Sequence, residues 1–171
     1  MKIGILALQG DVEDHLRSLK KASDNIGVNS EIVEVKKNIE CLDGLVIPGG
    51  ESTTLRKLLD MDEINLRNMP LMGTCAGCIL MSELMPIKIV RNGYGGQKKS
   101  FETSLNIRNI GVFKGVFIRA PRITEARCEV LAELRGEPVM VESDRRIALT
   151  FHPELTGDVR VHEYFLKKIL D

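Results

Sequence analysis

The chain has 171 residues, 43% apolar and 28% charged, a globular composition with enough apolar side chains for one sizeable core. Lys+Arg and Asp+Glu both number 24 and no basic block stands out, which argues against nucleic acid or an anionic membrane surface as partner. No apolar run reaches the length of a membrane span, the stretch Met1 to Leu6 is too short for a signal peptide, and cysteines at 41, 75, 78 and 128 form no secreted disulfide framework; the expectation is a cytoplasmic chain with a single domain, 1–171.

In chain order, Lys2 to Leu8 reads as a strand leading into Leu8-Gln9-Gly10-Asp11. A helix follows from Asp11, with Val12, Leu16, Leu19 and Ile26 on one face and Gly27 closing it. Strands are expected at Glu31 to Val35 and Leu45 to Ile47. The second runs into Pro48-Gly49-Gly50-Glu51-Ser52-Thr53-Thr54 and the helical run Leu55 to Leu59, with Ser52 or Thr53 as N-cap. A short apolar strand, Pro70-Leu71-Met72, then enters Gly73-Thr74-Cys75-Ala76-Gly77 and the helical pattern Cys78 to Leu84. Glycines 93, 95 and 96 mark a loop. The second half is richer in strands, at Phe101 to Ile107, Gly115 to Ile118, Val139 to Glu142 and Arg146 to Phe151. It closes with a helix from Asp158 to Leu170 that turns Val161, Phe165 and Ile169 inward. Such alternation predicts an α/β fold of three layers: a mainly parallel sheet with helices on both faces and some antiparallel strands in the C-terminal half. Ligands of such sheets bind beyond the carboxyl ends of the strands.

Three segments at those ends carry chemistry. Gly73-Thr74-Cys75-Ala76-Gly77 reads as a nucleophile elbow, in which glycines two residues either side of a reactive side chain let the backbone bend sharply between strand and helix. A cysteine at a helix start is favoured as thiolate, the attacking species. His152-Pro153-Glu154 supplies a base and a group to orient it, since residues two apart in extended chain share a side. Paired glycines 49 and 50 can turn backbone N–H groups toward a developing oxyanion. Neither phosphate-loop nor dinucleotide glycine spacing occurs.

Taken together, Leu8-Gln9-Gly10, the Pro48 to Thr54 segment, the Cys75 elbow, Arg91-Asn92, Ser100-Phe101-Glu102, Gly115-Val116-Phe117-Ile118-Arg119-Ala120-Pro121 and Phe151-His152-Pro153-Glu154-Leu155-Thr156 resemble the glutaminase subunits of pyridoxal 5′-phosphate synthases. These are triad-class glutamine amidotransferases, and the resemblance spans essentially the whole chain. It implies a flavodoxin-like fold of the class I glutamine amidotransferase kind. Cys75 would be the nucleophile, His152 the acid/base and Glu154 the group orienting His152. Backbone N–H groups of Gly50 and Ala76 would hold the oxyanion, and Gly49, Gly50, Glu51, Arg91, Ile118 and Arg119 would bind L-glutamine. It further implies ammonia transfer to a synthase subunit in a hetero-oligomer, with no cofactor and no metal; the Leu8-Gln9-Gly10-Asp11 motif, beyond the first strand and so on the same rim as the site, is the candidate for sensing that partner, with Gln9 as its test position. The chain departs from that pattern at Tyr94-Gly95-Gly96-Gln97, which lacks an arginine, at Cys78, and in connections around 62–69 and 86–90 that look trimmed.

Other readings are a glutaminase subunit of another amidotransferase, a hydrolase-fold scaffold with dead chemistry, a cysteine hydrolase for a different substrate, a Cys75/Cys78/His152 zinc site and a Cys-x-x-Cys thiol–disulfide exchanger. The exchanger leaves the two flanking glycines, the His152/Glu154 pair and the Gly49-Gly50 loop unexplained, and the zinc site has no evident fourth ligand. His15 and His162, among charged neighbours on helices, are expected to be surface or capping groups, Cys41 and Cys128 small hydrophobes, and the methionines core filler.

Overall fold

A computed structural model describes residues 1–7, 11–36, 39, 41–49, 66, 69–94 and 100–171. Its elements in chain order are β1 (Lys2–Leu6), α1 (Val12–Ile26), β2 (Glu31–Val35), β3 (Gly44–Ile47), β4 (Leu71–Thr74), α2 (Ala76–Met81), β5 (Ile87–Val90), β6 (Phe101–Ile107), β7 (Gly111–Phe117), β8 (Arg122–Ala126), β9 (Glu129–Leu134), β10 (Glu137–Ser143), β11 (Arg146–Leu149), a 3-10 turn (Pro153–Leu155) and α3 (Arg160–Leu170). Among the described residues the main sheet has the order β2-β1-β3-β4-β11-β10-β9. Strands β2, β1, β3, β4 and β11 pair in parallel, while β10 and β9 extend the sheet antiparallel. This is the mainly parallel sheet expected from the alternation, with its antiparallel part in the C-terminal half.

Period-2 alternation divides the apolar side chains between two faces. Ile3, Ile5, Val46, Met72, Ile147 and Leu149 point to the face covered by α1 and α3, where they meet Leu19, Ala22, Phe165 and Leu166 together with Phe113 and Phe117 of the β6–β7 hairpin. Leu6, Leu45, Ile47, Leu71 and Ala148 point the other way, onto Cys78, Leu80 and Met81 of α2 and onto Ile87 and Ile123 of the antiparallel β5–β8 ribbon. Burial of these side chains, at roughly 25 cal/mol per Å² of apolar surface, is the main favourable term. Gly27 closes α1 in a left-handed conformation with φ 69°, its N–H bonded to Asp24 and Ser23 carbonyls.

Several boundaries differ from the sequence reading. β1 stops at Leu6, two residues early. β7 begins at Gly111 rather than Gly115, because its register with β6 runs unbroken from Ile107↔Gly111 to Phe101↔Phe117. Residues 87–90, read as part of a trimmed connection, form strand β5, and β8 and β9 are further strands. Cys41 is exposed with φ 61°, so it does not pack as a small hydrophobe. The helical run Leu55 to Leu59, its cap at Ser52 or Thr53, and Gly95 to Gln97 lie outside the described residues.

Candidate active site

The carboxyl ends of β1, β3, β4 and β11 lie side by side, and the last three lead into the segments singled out for chemistry. β4 ends at Thr74, and Cys75 turns the chain into α2 with φ 49° and ψ −110°. That strained backbone, a cost of the order of 1–3 kcal/mol, is held by the Cys75 N–H bonding to Leu149 O at 3.0 Å and the Cys78 N–H to Cys75 O at 3.1 Å. The flanking glycines are required by packing. A Cβ at Gly77 would overlap Ile47 O and stand 3.0 Å from Pro48 O, and one at Gly73 would lie 2.8 Å from Gly77 O. The elbow is therefore pressed against the loop that follows β3, at its Gly49 end.

His152 follows β11 by three residues. Its backbone N–H bonds to Val116 O at 2.8 Å, which ties it to the carboxyl end of strand β7 and brings Ile118 to the site. Its Nδ1 donates to Glu154 Oε1 at 2.7 Å, both side chains being buried. Cys75 and His152 converge on Gly49, where a Cβ would stand 3.4 Å from His152 Cε1 and 3.9 Å from Cys75 Sγ. Sγ donates to Ile118 O at 3.5 Å. The buried His152 Nε2 completes no hydrogen bond, so the thiol is a close neighbour of the ring rather than a formed partner, with the second ring nitrogen left free for proton transfer. Burial opposes the imidazolium, but the hydrogen-bonding reach and charge of Cys75 and Glu154 outweigh it, and the His152 pKa is pushed up to about 10. Burial also raises the Glu154 carboxyl, and its bond and charge interaction with His152 work against that rise.

The structure brings Cys75, His152, Glu154, Gly49 and Ile118 together. Ala76 is the first residue of α2, where helical N–H groups lack intrahelical acceptors. Arg119 is exposed with φ 47°, immediately after the carbonyl that faces Sγ. Arg91 is exposed in the turn after β5, whose register Val90↔Arg122 places it near the segment that follows Arg119. Gly50, Glu51 and Gln9 lie outside the described residues.

Two features go beyond or against the sequence reading. Asp11 is the N-cap of α1 yet makes no side-chain capping bond, because its carboxylate turns to His152 Nδ1 at 3.4 Å. The only signal in the sequence was its place just past β1. His15 and His162, expected at the surface, are both fully buried. They face inward because α1 packs against α3, and His15 Nδ1 lies 3.1 Å from His162 Nε2.

The thiol at Cys78 is fully buried, and burial followed by the charge of Cys75 pushes its pKa up, a setting that suits neither disulfide exchange nor metal ligation. Among the described residues the donor cluster compact enough for a metal ion is Asp11, His152 and Glu154, within 4.8 Å, rather than the Cys75/Cys78/His152 set. Its geometry is already accounted for by two carboxylates sharing one edge of an imidazole.

The SNO glutamine amidotransferase family matches residues 5–171. The chain belongs to that family. Pyridoxal 5′-phosphate synthase subunit PdxT from Picrophilus torridus is 46% identical over 99% of both chains, and the protein of the same name from Thermococcus kodakarensis 42% over 98% of both. Among solved structures, a crystal structure of a glutamine amidotransferase superposes with a TM-score of 0.84 at 38% identity over 99% of both chains. A second glutamine amidotransferase, from Thermotoga maritima, gives 0.68 at 11% identity over 99% of this chain and 96% of that one, a likeness of fold alone. This SNO-family chain therefore carries its cysteine elbow on the fold expected for a glutamine amidotransferase.

Proposed function

We propose that the chain is the glutaminase subunit of a pyridoxal 5′-phosphate synthase, acting as one domain to hydrolyse the side-chain amide of L-glutamine and pass the ammonia to a synthase subunit. The near full-length relatives bear that subunit's name. The observation that carries the chemistry is the convergence of Cys75, on its strained elbow, and the Glu154-bonded ring of His152 on Gly49.

In this mechanism the Cys75 proton passes to His152, the resulting thiolate attacks the amide carbon, and the oxyanion is held by the N–H groups of Ala76 and Gly50. His152, an imidazolium at neutral pH because Glu154 and Cys75 support its charge, hands its proton to the departing ammonia and leaves a thioester on Cys75. The neutral ring then takes a proton from water as that water attacks the thioester, releasing glutamate and restoring the imidazolium. The glutamine would lie along Gly49, Glu51, Ile118 and Arg119, with Arg91 at the outer end. No metal or organic cofactor enters these steps. Among the described residues no helix is long and apolar enough to cross a membrane, and a nucleophilic thiol suits the reducing cytoplasm as the working compartment.

Hydrolysis without a partner wastes glutamine, so activity is expected to depend on docking. Titration of a purified pyridoxal 5′-phosphate synthase subunit should raise steady-state glutamate release by at least about tenfold, and by no more than the roughly 10²–10³ attached to a single oxyanion donor. Cys75→Ser should abolish release in the complex. Full activity of the lone chain with no response to the synthase would defeat the partner dependence, and glutamate release by Cys75→Ser would defeat the mechanism.

A further inference from the structure

Behind the catalytic histidine a line of buried polar groups runs away from the pocket. Glu154 Oε1 receives the His152 Nδ1 hydrogen, while Oε2 is fully enclosed and completes no hydrogen bond of its own. It faces His15 Nε2 at 3.3 Å. The same nitrogen lies 3.2 Å from Thr74 Oγ1, one residue before the nucleophile, and the opposite nitrogen, Nδ1, lies 3.1 Å from His162 Nε2. His15 comes from α1, Thr74 from β4, Glu154 from the 3-10 turn and His162 from α3, so four elements meet at one imidazole. All four side chains are buried.

The hydrogen placement follows from what each nitrogen faces. A lone pair on His15 Nε2 would point at a carboxylate oxygen in a dry interior, a repulsive arrangement, whereas an N–H there offers its positive end to Oε2 and Thr74 Oγ1 together. Nε2 therefore carries the hydrogen, and Nδ1 is an acceptor that takes the Nε2 hydrogen of His162. Hydrogens then run in one direction, from His162 to His15 to Thr74 Oγ1, with the positive end of the His15 N–H also facing Glu154 Oε2, and His152 approaches the same carboxylate from the pocket side.

We infer that His15, locked in its Nε2–H tautomer by His162, is a positioning residue of the triad that holds Glu154 aimed at His152. This rests on the glutaminase reading above. A buried carboxylate with only one oxygen satisfied is free to rotate or take up a proton, and either change weakens its hold on the His152 imidazolium. The His15 N–H opposes both. Burial, then His162 and His152, keep His15 well below the ordinary histidine range, and burial pushes His162 down to about 3, so both rings stay neutral as the tautomer chain requires. The groups facing this cluster are His162, Thr74 and Glu154 around His15, with His152 and Asp11 on the pocket side.

The test compares His15→Leu, which removes the donor, with His15→Gln, whose amide N–H reaches nearly the same place, in the complex with the synthase subunit. His15→Leu should lower kcat about ten- to a hundredfold with little change in KM, below the 10²–10⁴ attached to an acid/base itself. Because Glu154 then supports the imidazolium less well, the basic limb of the kcat/KM profile should move to lower pH. His15→Gln should recover most of the rate and return the limb. Unchanged kcat and pH profile in His15→Leu, or equal losses in both variants with an unmoved limb, would overturn the assignment. Should His15→Leu fail to fold, ring-nitrogen NMR of the unaltered protein decides: a neutral His15 protonated at Nε2 supports it, and an imidazolium or an Nδ1-protonated ring overturns it. Glutamate release that Cys75→Ser leaves intact would count against the glutaminase reading instead, separately from this series.

Discussion

Two cysteines three residues apart have opposite fates. Cys75 sits at φ 49° with its sulfur beside the Ile118 carbonyl, while Cys78, one turn into α2, is buried in the core against the central sheet with its thiol kept protonated by burial. Cys78→Ala should therefore cost about 1 kcal/mol of stability, at the small end of core truncations, and leave glutamate release within about twofold, whereas Cys75→Ser removes it. Comparable losses in both variants, measured as turnover on folded protein, would revive the paired-cysteine reading. Cys75, His152 and Glu154 were legible in the sequence because their roles demand local patterns: small residues two either side of a nucleophile, and a base two residues from its orienting carboxylate. Asp11, His15 and His162 were not. A polar residue on a helix with charged neighbours looks the same whether it faces water or a second helix, and the packing of α1 on α3 decides which.

At the scale of elements, the elbow and the loop after β3 are held together by the absence of a side chain. Gly77 brings the first turn of α2 against the Ile47 and Pro48 carbonyls, and its own carbonyl lies where a Cβ on Gly73 would be. Neither glycine has a positive φ, so close approach and not backbone freedom is what they supply. Gly77→Ala must push α2 away from β3, at a cost of about 1–3 kcal/mol or more, and should separate Cys75 from Gly49 as it does so. The expected result is a folded protein with a lowered unfolding midpoint and glutaminase activity reduced by more than the stability loss explains. Wild-type turnover in that variant would show that the contact is incidental. Strands β3 and β4 were readable because each is a short apolar run marked by glycine or proline, Pro48 directly after Ile47 and Pro70 and Gly73 on either side of Leu71-Met72. Strands β5, β8 and β9 were less so: β5 is only four residues long with Lys88 between two isoleucines, and β8 and β9 carry Arg122, Thr124, Glu129 and Glu133 on an exposed side, a pattern that partners outside the main parallel layer stabilise.

Across the whole molecule the buried histidines make folding sensitive to pH in two directions. His15 and His162 are held neutral, the second with a pKa of about 3, while in the unfolded chain each titrates near the ordinary value of 6.5. Below about pH 6.5 the unfolded state gains protons that the folded state refuses, so the stability these residues contribute is present above that pH and is lost as pH falls toward the folded values. Each differing proton contributes a slope of about 1.4 kcal/mol per pH unit. Glu154, whose carboxyl is raised by burial, works the opposite way and takes back part of the slope once pH falls into its range. His152 acts at the other end: its raised pKa makes the imidazolium's contribution full below about 6.5 and lost as pH rises through about 10. Denaturant unfolding should therefore show a free energy that falls by about 2–3 kcal/mol between pH 6.5 and 5 and declines again on the alkaline side. His162→Gln, which cannot take up a proton in either state, should roughly halve the acid slope without moving the alkaline limb. An acid slope that persists in full in His162→Gln would mean that the protons come from elsewhere, and that α1 and α3 do not carry the acid sensitivity of the fold.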